Sequence, residues 1–262
     1  MARLTGAFDF NGKLGNVSAY KRRDMDGTFV RTKGGATKEK IKTAKCFERT
    51  RENNADWEGC GKGAGRIRWA LLYVDHLKDC NYTADLSKLC KVMQLQDPEN
   101  ERGKRSILFS QHRELLEGFR LTQRNPFDSV VRHPLRCEID RETGQAWVKI
   151  PRLMSGINLF IPWQYPLFRF VISLQAIMDM EYNYPPATPR NTDTAPVIYT
   201  EWQMTEQNYE EEYVELQLKA GGLADDTWTM ILSVGLEMGT PLSNNFVNTV
   251  KYVGCAKILG VG

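Results

Sequence analysis

The sequence predicts an α+β chain in three parts: a β-hairpin arm over residues 1–36, a helical region over 37–125, and an antiparallel β-sandwich of the immunoglobulin or fibronectin type III kind over 126–262. Three observations predict it. An Asp26-Gly27 pair sits between two β-rich runs. The hydrophobic period changes from helical spacing to strict alternation near Pro134. The charge changes sign over the same stretch. Residues 1–125 hold 25 Lys and Arg against 16 Asp and Glu, and residues 126–262 hold 10 against 16, giving +9 and −6 within a net +3. Such an asymmetry marks segments with different surroundings.

The arm is read from Gly15-Asn-Val-Ser-Ala-Tyr-Lys-Arg22 and Thr28-Phe-Val-Arg-Thr32 on either side of Asp24-Met-Asp-Gly27. Asp and Gly both tolerate the positive φ that a tight hairpin turn requires. Thr37 is the expected N-cap of a first helix from Lys38 to about Trp57, with a thin apolar seam through Ile41, Ala44 and Phe47. The run Gly59-Cys-Gly-Lys-Gly-Ala-Gly65 is expected to interrupt it. A second helix is expected over Arg66–Asp79, where Ile67, Leu71, Val74 and Leu77 recur at helical spacing. Short helices are expected around Thr83–Leu95 and Arg113–Leu121, with a charged loop at Gln96–Lys104 between them.

Beyond Pro134 the strands follow one another. Leu135–Asp140 and Gln145–Ile150 flank the loop Arg141-Glu-Thr-Gly144. Phe168, Phe170, Ile172, Leu174, Ala176 and Met178 alternate with polar neighbours. Val197–Met204, Tyr213–Ala220, the row Trp228 to Leu236, and Phe246–Ile258 complete about seven strands. That number suits two packed sheets, although the Cys…Trp…Cys spacing of antibody domains is absent.

Composition excludes several classes. At 42% hydrophobic and 26% charged, the 262 residues are not those of a disordered chain. The opening residues contain no apolar h-region, so no signal peptide is expected. No run of about 18 apolar residues occurs, so no membrane insertion is expected. The six cysteines form no C-x-x-C pair and, without an export signal, read as reduced thiols. A cytoplasmic protein, or a virion or assembly component, fits these features. No His stands at ligand spacing from a Cys, so no metal is expected. The glycine run follows a helix and lacks the Lys-Ser or Lys-Thr of a phosphate loop, so no cofactor is expected either. His76, His112 and His133 are far apart and no catalytic signature accompanies them. The chain therefore reads as non-enzymatic, with a site assembled from distant segments left open. Glu210-Glu-Glu212 reads as a solvated strand edge.

Two segments are candidate contact surfaces. On the hairpin, Lys21, Arg22, Arg23, Arg31 and Lys33 supply charge, and Tyr20 and Phe29 supply rings. Lys38, Lys40, Lys42, Lys45, Arg49 and Arg51 extend the basic run. Such a set can neutralise phosphates and stack on bases. It can equally dock on an acidic protein, or be a solvated face diluted by Glu39, Glu48 and Glu52. The second segment is the proline-rich loop 181–196, where Tyr182, Tyr184 and Arg190 look like contact residues. A plain sheet-crossing connection explains the same loop.

Met1-Ala-Arg-Leu-Thr-Gly-Ala-Phe-Asp-Phe10, Leu14-Gly-Asn-Val-Ser-Ala-Tyr-Lys21, Arg31-Thr-Lys-Gly-Gly35, Phe47-Glu-Arg-Thr-Arg-Glu-Asn-Asn54 and the ending Val250-Lys-Tyr-Val-Gly-Cys-Ala-Lys-Ile-Leu-Gly260 are similar to a family of Bacteroidetes proteins with no assigned activity. The resemblance implies a Gly-rich hairpin paired with a C-terminal β-sandwich, and it brings no functional residue with it. A lone hairpin is marginal in water and needs a partner surface. The expectation is thus a structural or assembly protein whose arm and sandwich mediate protein–protein contacts, chiefly self-association. The alternative is a nucleic-acid-binding module built on the basic hairpin and first helix. A hydrolase with a scattered site is the third reading, to be revived by a His and a carboxylate gathered in space.

Overall fold

The computed structural model describes residues 2–4, 11–21, 26–32, 34–184, 192–223, 225–243 and 246–262. The chain divides into two compact units, 1–51 and 52–262.

In the first unit, β1 (Ala2–Leu4), β2 (Gly12–Leu14), β3 (Val17–Lys21) and β4 (Thr28–Thr32) form one antiparallel sheet in the order β1-β4-β3-β2. The expected hairpin is its centre, β3 against β4, with Tyr20 opposite Phe29. Gly15, at φ 53°, allows the short turn that joins β2 to β3, closed by the Leu14–Val17 pair. Helix α1 (Lys38–Thr43) is capped as the sequence predicts: Thr37 Oγ1 accepts the Lys40 amide at 3.2 Å. It ends earlier than predicted. Ala44 is extended, a 3₁₀ turn follows at Lys45–Phe47, and a new helix, α2, starts at Glu48. Arg51 Nη1 donates to the Ile41 and Ala44 carbonyls at 2.9 Å each, which satisfies acceptors at that break.

Helix α2 (Glu48–Ala70) carries the chain into the second unit and runs unbroken through the glycine run. The expected interruption is absent because Gly59 and Gly63, four residues apart, share a face that needs close approach. A Cβ at Gly59 would lie 2.4 Å from the Tyr184 ring, and one at Gly63 would lie 3.0 Å from Cys90 Sγ. Tertiary packing thus outweighs a propensity cost of about 1 kcal/mol per glycine. A 3₁₀ turn at Asp75–Leu77 and helix α3 (Thr83–Leu95) follow. The helix expected at Arg113–Leu121 does not form. Two 3₁₀ turns, Phe109–Gln111 and Arg113–Leu115, lead instead into a turn at 116–118 and a single bridge at Arg120, followed further on by the short helix α4 (Phe127–Val130).

The strands make two antiparallel sheets. The larger has the order β10-β7-β12-β13, from β7 (Leu167–Met178), β10 (Gln203–Met204), β12 (Trp228–Ser243) and β13 (Phe246–Val261); β8 (Thr192–Thr194) and β9 (Ile198–Tyr199) also pair with β7. The smaller has the order β11-β6-β5, from β5 (Arg136–Asp140), β6 (Gln145–Ile150) and β11 (Glu212–Gln217). Residues 118–121 run along β13: Gly118 and Leu121 amides donate to the Ile258 and Ala256 carbonyls, and the Ile258 amide donates to the Phe119 carbonyl. This covers part of an edge that would otherwise be open.

Period two decides which residues face which layer. Phe168, Phe170, Ile172, Leu174 and Ala176 of β7, with Met230, Leu232, Val234 and Leu236 of β12, pack on Ala146, Val148, Ile150, Val214 and Leu216 of the smaller sheet. This is the two-sheet sandwich the sequence predicts, in an α+β chain. The opposite face of the larger sheet, through Val171, Ile177, Ile231, Ala256 and Ile258, packs on Ala64, Ile67 and Ala70 of α2 and Leu86, Cys90 and Met93 of α3. The division expected at residue 125 is therefore one of composition and period. Residues from 52 onward share one compact unit because helices and sheet bury a common core.

Candidate functional site

On the first unit, the register sorts the candidate residues by face. Tyr20 pairs with Phe29, Ser18 with Arg31, and Lys13 with Ser18, so these five share one face. The Tyr20 and Phe29 ring centres are 6.3 Å apart, and the Arg31 guanidinium lies 5.5 Å from the Tyr20 ring centre. Phe29 is buried, Tyr20 half-buried, and Arg31 and Lys13 exposed. Lys21 lies on the opposite face, beside the row Leu14, Val17, Ala19 and Val30. Arg22, Arg23, Lys33 and Arg190 lie outside the described residues. The arrangement is an aromatic pair edged by cations, which suits an anionic or aromatic partner.

In the second unit, the expected contact pair Tyr182 and Tyr184 meet edge to face, ring centres 6.3 Å apart, but differ in exposure. Tyr184 is buried against Gly59; its hydroxyl accepts from Gln94 Nε2 at 2.8 Å and donates to the Arg105 carbonyl. It cannot present its ring to a partner, because the ring is wedged against Gly59 of α2. Around it, Asp56 takes Lys91 Nζ at 2.8 Å on one oxygen and the Gly103 amide at 2.9 Å on the other. Tyr182 is exposed and lines a groove of about 450 Å³ with Asp97, Glu99, Ser106, Gln111 and Glu181. Burial acts to raise the Asp97 pKa, but bonds from the Ser106, Glu99 and Asn100 amides and the Asn100 side chain hold it below the usual carboxylate range.

One His and one carboxylate do meet. Glu237 of β12 is buried and directly opposite Arg169 of β7. Its Oε1 takes Arg169 Nε at 2.5 Å, and its Oε2 lies 2.8 Å from Nε2 of His76, on the 3₁₀ turn. Burial acts to raise the Glu237 pKa; His76 and Arg169 outweigh it and hold the carboxyl below the usual value. The Arg169 guanidinium lies 4.3 Å from the Tyr199 ring centre and 4.4 Å from that of Trp202. This cluster draws on residues up to 161 positions apart, and no local pattern announces it. The one signal was a Glu closing the apolar row of β12. As a catalytic dyad it is poorly arranged: Nε2, the nitrogen farthest from the backbone, is the one committed to Glu237. His112 and His133 lie elsewhere, near Glu114 and the Pro134 carbonyl.

The cysteines are free thiols. Burial pushes Cys60 up to about 11 and raises Cys90 and Cys255 as well, so these three stay protonated and poorly nucleophilic. Among the described residues, no three His, Cys, Asp or Glu side chains gather as a metal-ligand set, and no helix is long and apolar enough to cross a membrane. No family model, no curated protein and no solved structure matches the chain.

Proposed function

We propose that the protein is a non-enzymatic assembly component, cytoplasmic or part of a virion or similar structure, that associates with itself through its N-terminal sheet. The observation that carries the reading is how few of the first unit's described side chains are buried. Of its described residues only Ala19, Thr28 and Phe29 are buried, while Leu14 is 68% exposed and Val17 and Val30 are half-buried. A small sheet with so little buried apolar area gains stability from a second surface. Among the described residues, β1 and β2 are its outer strands, the position suited to edge-to-edge addition. The protonated thiols and the committed His76 Nε2 support the non-enzymatic part.

A second reading, nucleic-acid binding, is favoured by the Tyr20, Phe29, Arg31 and Lys13 face and by the charge of residues 1–51, which hold 13 Lys and Arg against 5 Asp and Glu. Sedimentation equilibrium separates the two. The full chain is expected as a dimer or larger, and the chain lacking residues 1–36 as a monomer. Equal monomeric masses overturn self-association. A full-length monomer that gains mass with single-stranded DNA, less so as salt rises, points to the second reading.

A further inference from the structure

The cluster around Glu237 leaves one group aimed outward. Arg169 is held on three sides. Its Nε is bonded to the buried Glu237 carboxylate, and its guanidinium lies against the rings of Tyr199 and Trp202. The backbone builds this holder. Strand β9 pairs Tyr199 with Val171, two residues along β7 from Arg169 and on the same face. Trp202 can lie close to β12 because residue 239 is glycine; a Cβ there would sit 2.6 Å from its ring. Opposite, β13 departs from regular register: Thr249 pairs with Gly239 and Gly254 with Glu237, so residues 250–253 bulge, with Tyr252 at φ 62°. Bulges of this kind recur where a strand opens beside a site.

The two terminal nitrogens of Arg169, Nη1 and Nη2, make no hydrogen bond with any described residue. They are not among the buried unpaired atoms, and the side chain is 21% exposed, so they meet solvent. A guanidinium offers two carboxylate-binding edges. Glu237 occupies Nε, and the end-on pair Nη1/Nη2 remains. Because the ion pair and the two rings fix the side chain, little rotamer entropy is lost when that edge is used. Glu237 already offsets one positive charge, so a monoanion suits the site better than a dianion. Tyr199, 42% exposed, offers an aromatic surface beside it.

We propose that Arg169 anchors a carboxylate-binding site, taking a carboxylate borne on an aromatic or apolar body end-on through Nη1 and Nη2, with Tyr199 and Trp202 as its walls. The source is either a small carboxylic acid or the free C-terminus of a polypeptide, and the chemistry of recognition is shared. Isothermal titration of the full-length protein distinguishes the sources, with benzoate in one arm and N-acetyl-Gly-Phe in the other. N-acetyl-Gly-Phe amide is the control. At least one carboxylate is expected to bind saturably, and the amide at least tenfold more weakly. Arg169→Lys keeps a charge for Glu237 but loses the planar fork, and is expected to weaken binding at least tenfold while melting within a few degrees of the parent. Tyr199→Ser removes an exposed wall and is expected to weaken binding severalfold. No binding of either acid, an amide that binds as well as the acid, or a folded Arg169→Lys of unchanged affinity overturns the proposal. Should Arg169→Lys not fold, unchanged affinity in Tyr199→Ser overturns it. Because sedimentation reads association separately, the assembly reading stands or falls independently.

Discussion

Gly59 and Gly61 stand two residues apart in α2, yet a methyl group meets opposite surroundings at them. At Gly59 the added carbon would press into the Tyr184 ring at 2.4 Å, and that ring is itself held by Gln94 and Arg105. At Gly61 nothing lies within 4 Å. Gly59→Ala is therefore expected to destabilise by about 2 kcal/mol, as overpacking does. Gly61→Ala is expected to stabilise by about 0.5–1 kcal/mol, through helix propensity and a less flexible unfolded chain. Urea unfolding of the two variants checks this, and shifts of the same sign would contradict it. The same pair shows what a sequence reveals at this scale. Glycine signals either a break or a close approach, and only the partner decides which. Tyr184 is 125 residues downstream of Gly59, so propensity alone favoured a break. The two tyrosines of the 181–196 loop were indistinguishable for the same reason: one meets a glycine and is buried, the other meets solvent.

Period-two elements were the most legible, because alternation is a local property: β6, with every second residue buried, and the long β7 appear where the pattern puts them. Elements defined by distant pairing were not. The segment after Leu115 is not helical because the backbone of residues 118–121 bonds to β13, more than 130 residues away, although its own composition suggested a helix. The link between the Asp75–Leu77 turn and β12 is likewise non-local, since it runs through His76 and Glu237. That link carries a pH signature. With its pKa held below the ordinary glutamate value of about 4.3, Glu237 contributes stability that is fully present above that value and lost as pH falls through the lower, folded one. Asp179 acts oppositely: burial, against its bonds from Ser110, raises its pKa, so its protonation favours the folded state as pH falls. A comparison isolates Glu237. Urea midpoints from pH 7 to pH 3 are expected to fall more steeply below about pH 4.5 in the parent than in Glu237→Gln, which is weaker at neutral pH. Parallel curves would mean that the carboxylate is not linked to folding.

Across the whole molecule, charge and core are distributed in opposite senses. Residues 1–51 carry a net +8 and the remainder a net −5, while among the described residues nearly all the buried apolar side chains belong to the remainder. The sign change was visible in the sequence; the compact units divide at residue 51, because helix α2 and its successors pack on the sheet they cover. This separation allows the assembly reading to be examined without removing any residue. Amide exchange reports local opening where contacts are few and global opening where they are many. Strands β7 and β12, central in the larger sheet and buried on both faces, are expected to exchange only through global unfolding, at a rate that does not depend on protein concentration. Strands β2 to β4 have few buried side chains among the described residues and are expected to exchange quickly in dilute protein. Association that covers this sheet adds RT ln(1 + [L]/Kd) to its opening free energy, with a second copy as the ligand. For a dimer, whose free chain grows as the square root of total concentration, protection over Gly12–Leu14, Val17–Lys21 and Thr28–Thr32 should then rise about threefold for each tenfold rise in total concentration above Kd, while β7 and β12 stay unchanged. Protection in β2 to β4 that is already high in dilute protein and independent of concentration would show that the sheet is stable without a second copy, and would remove the reason for assigning it to assembly.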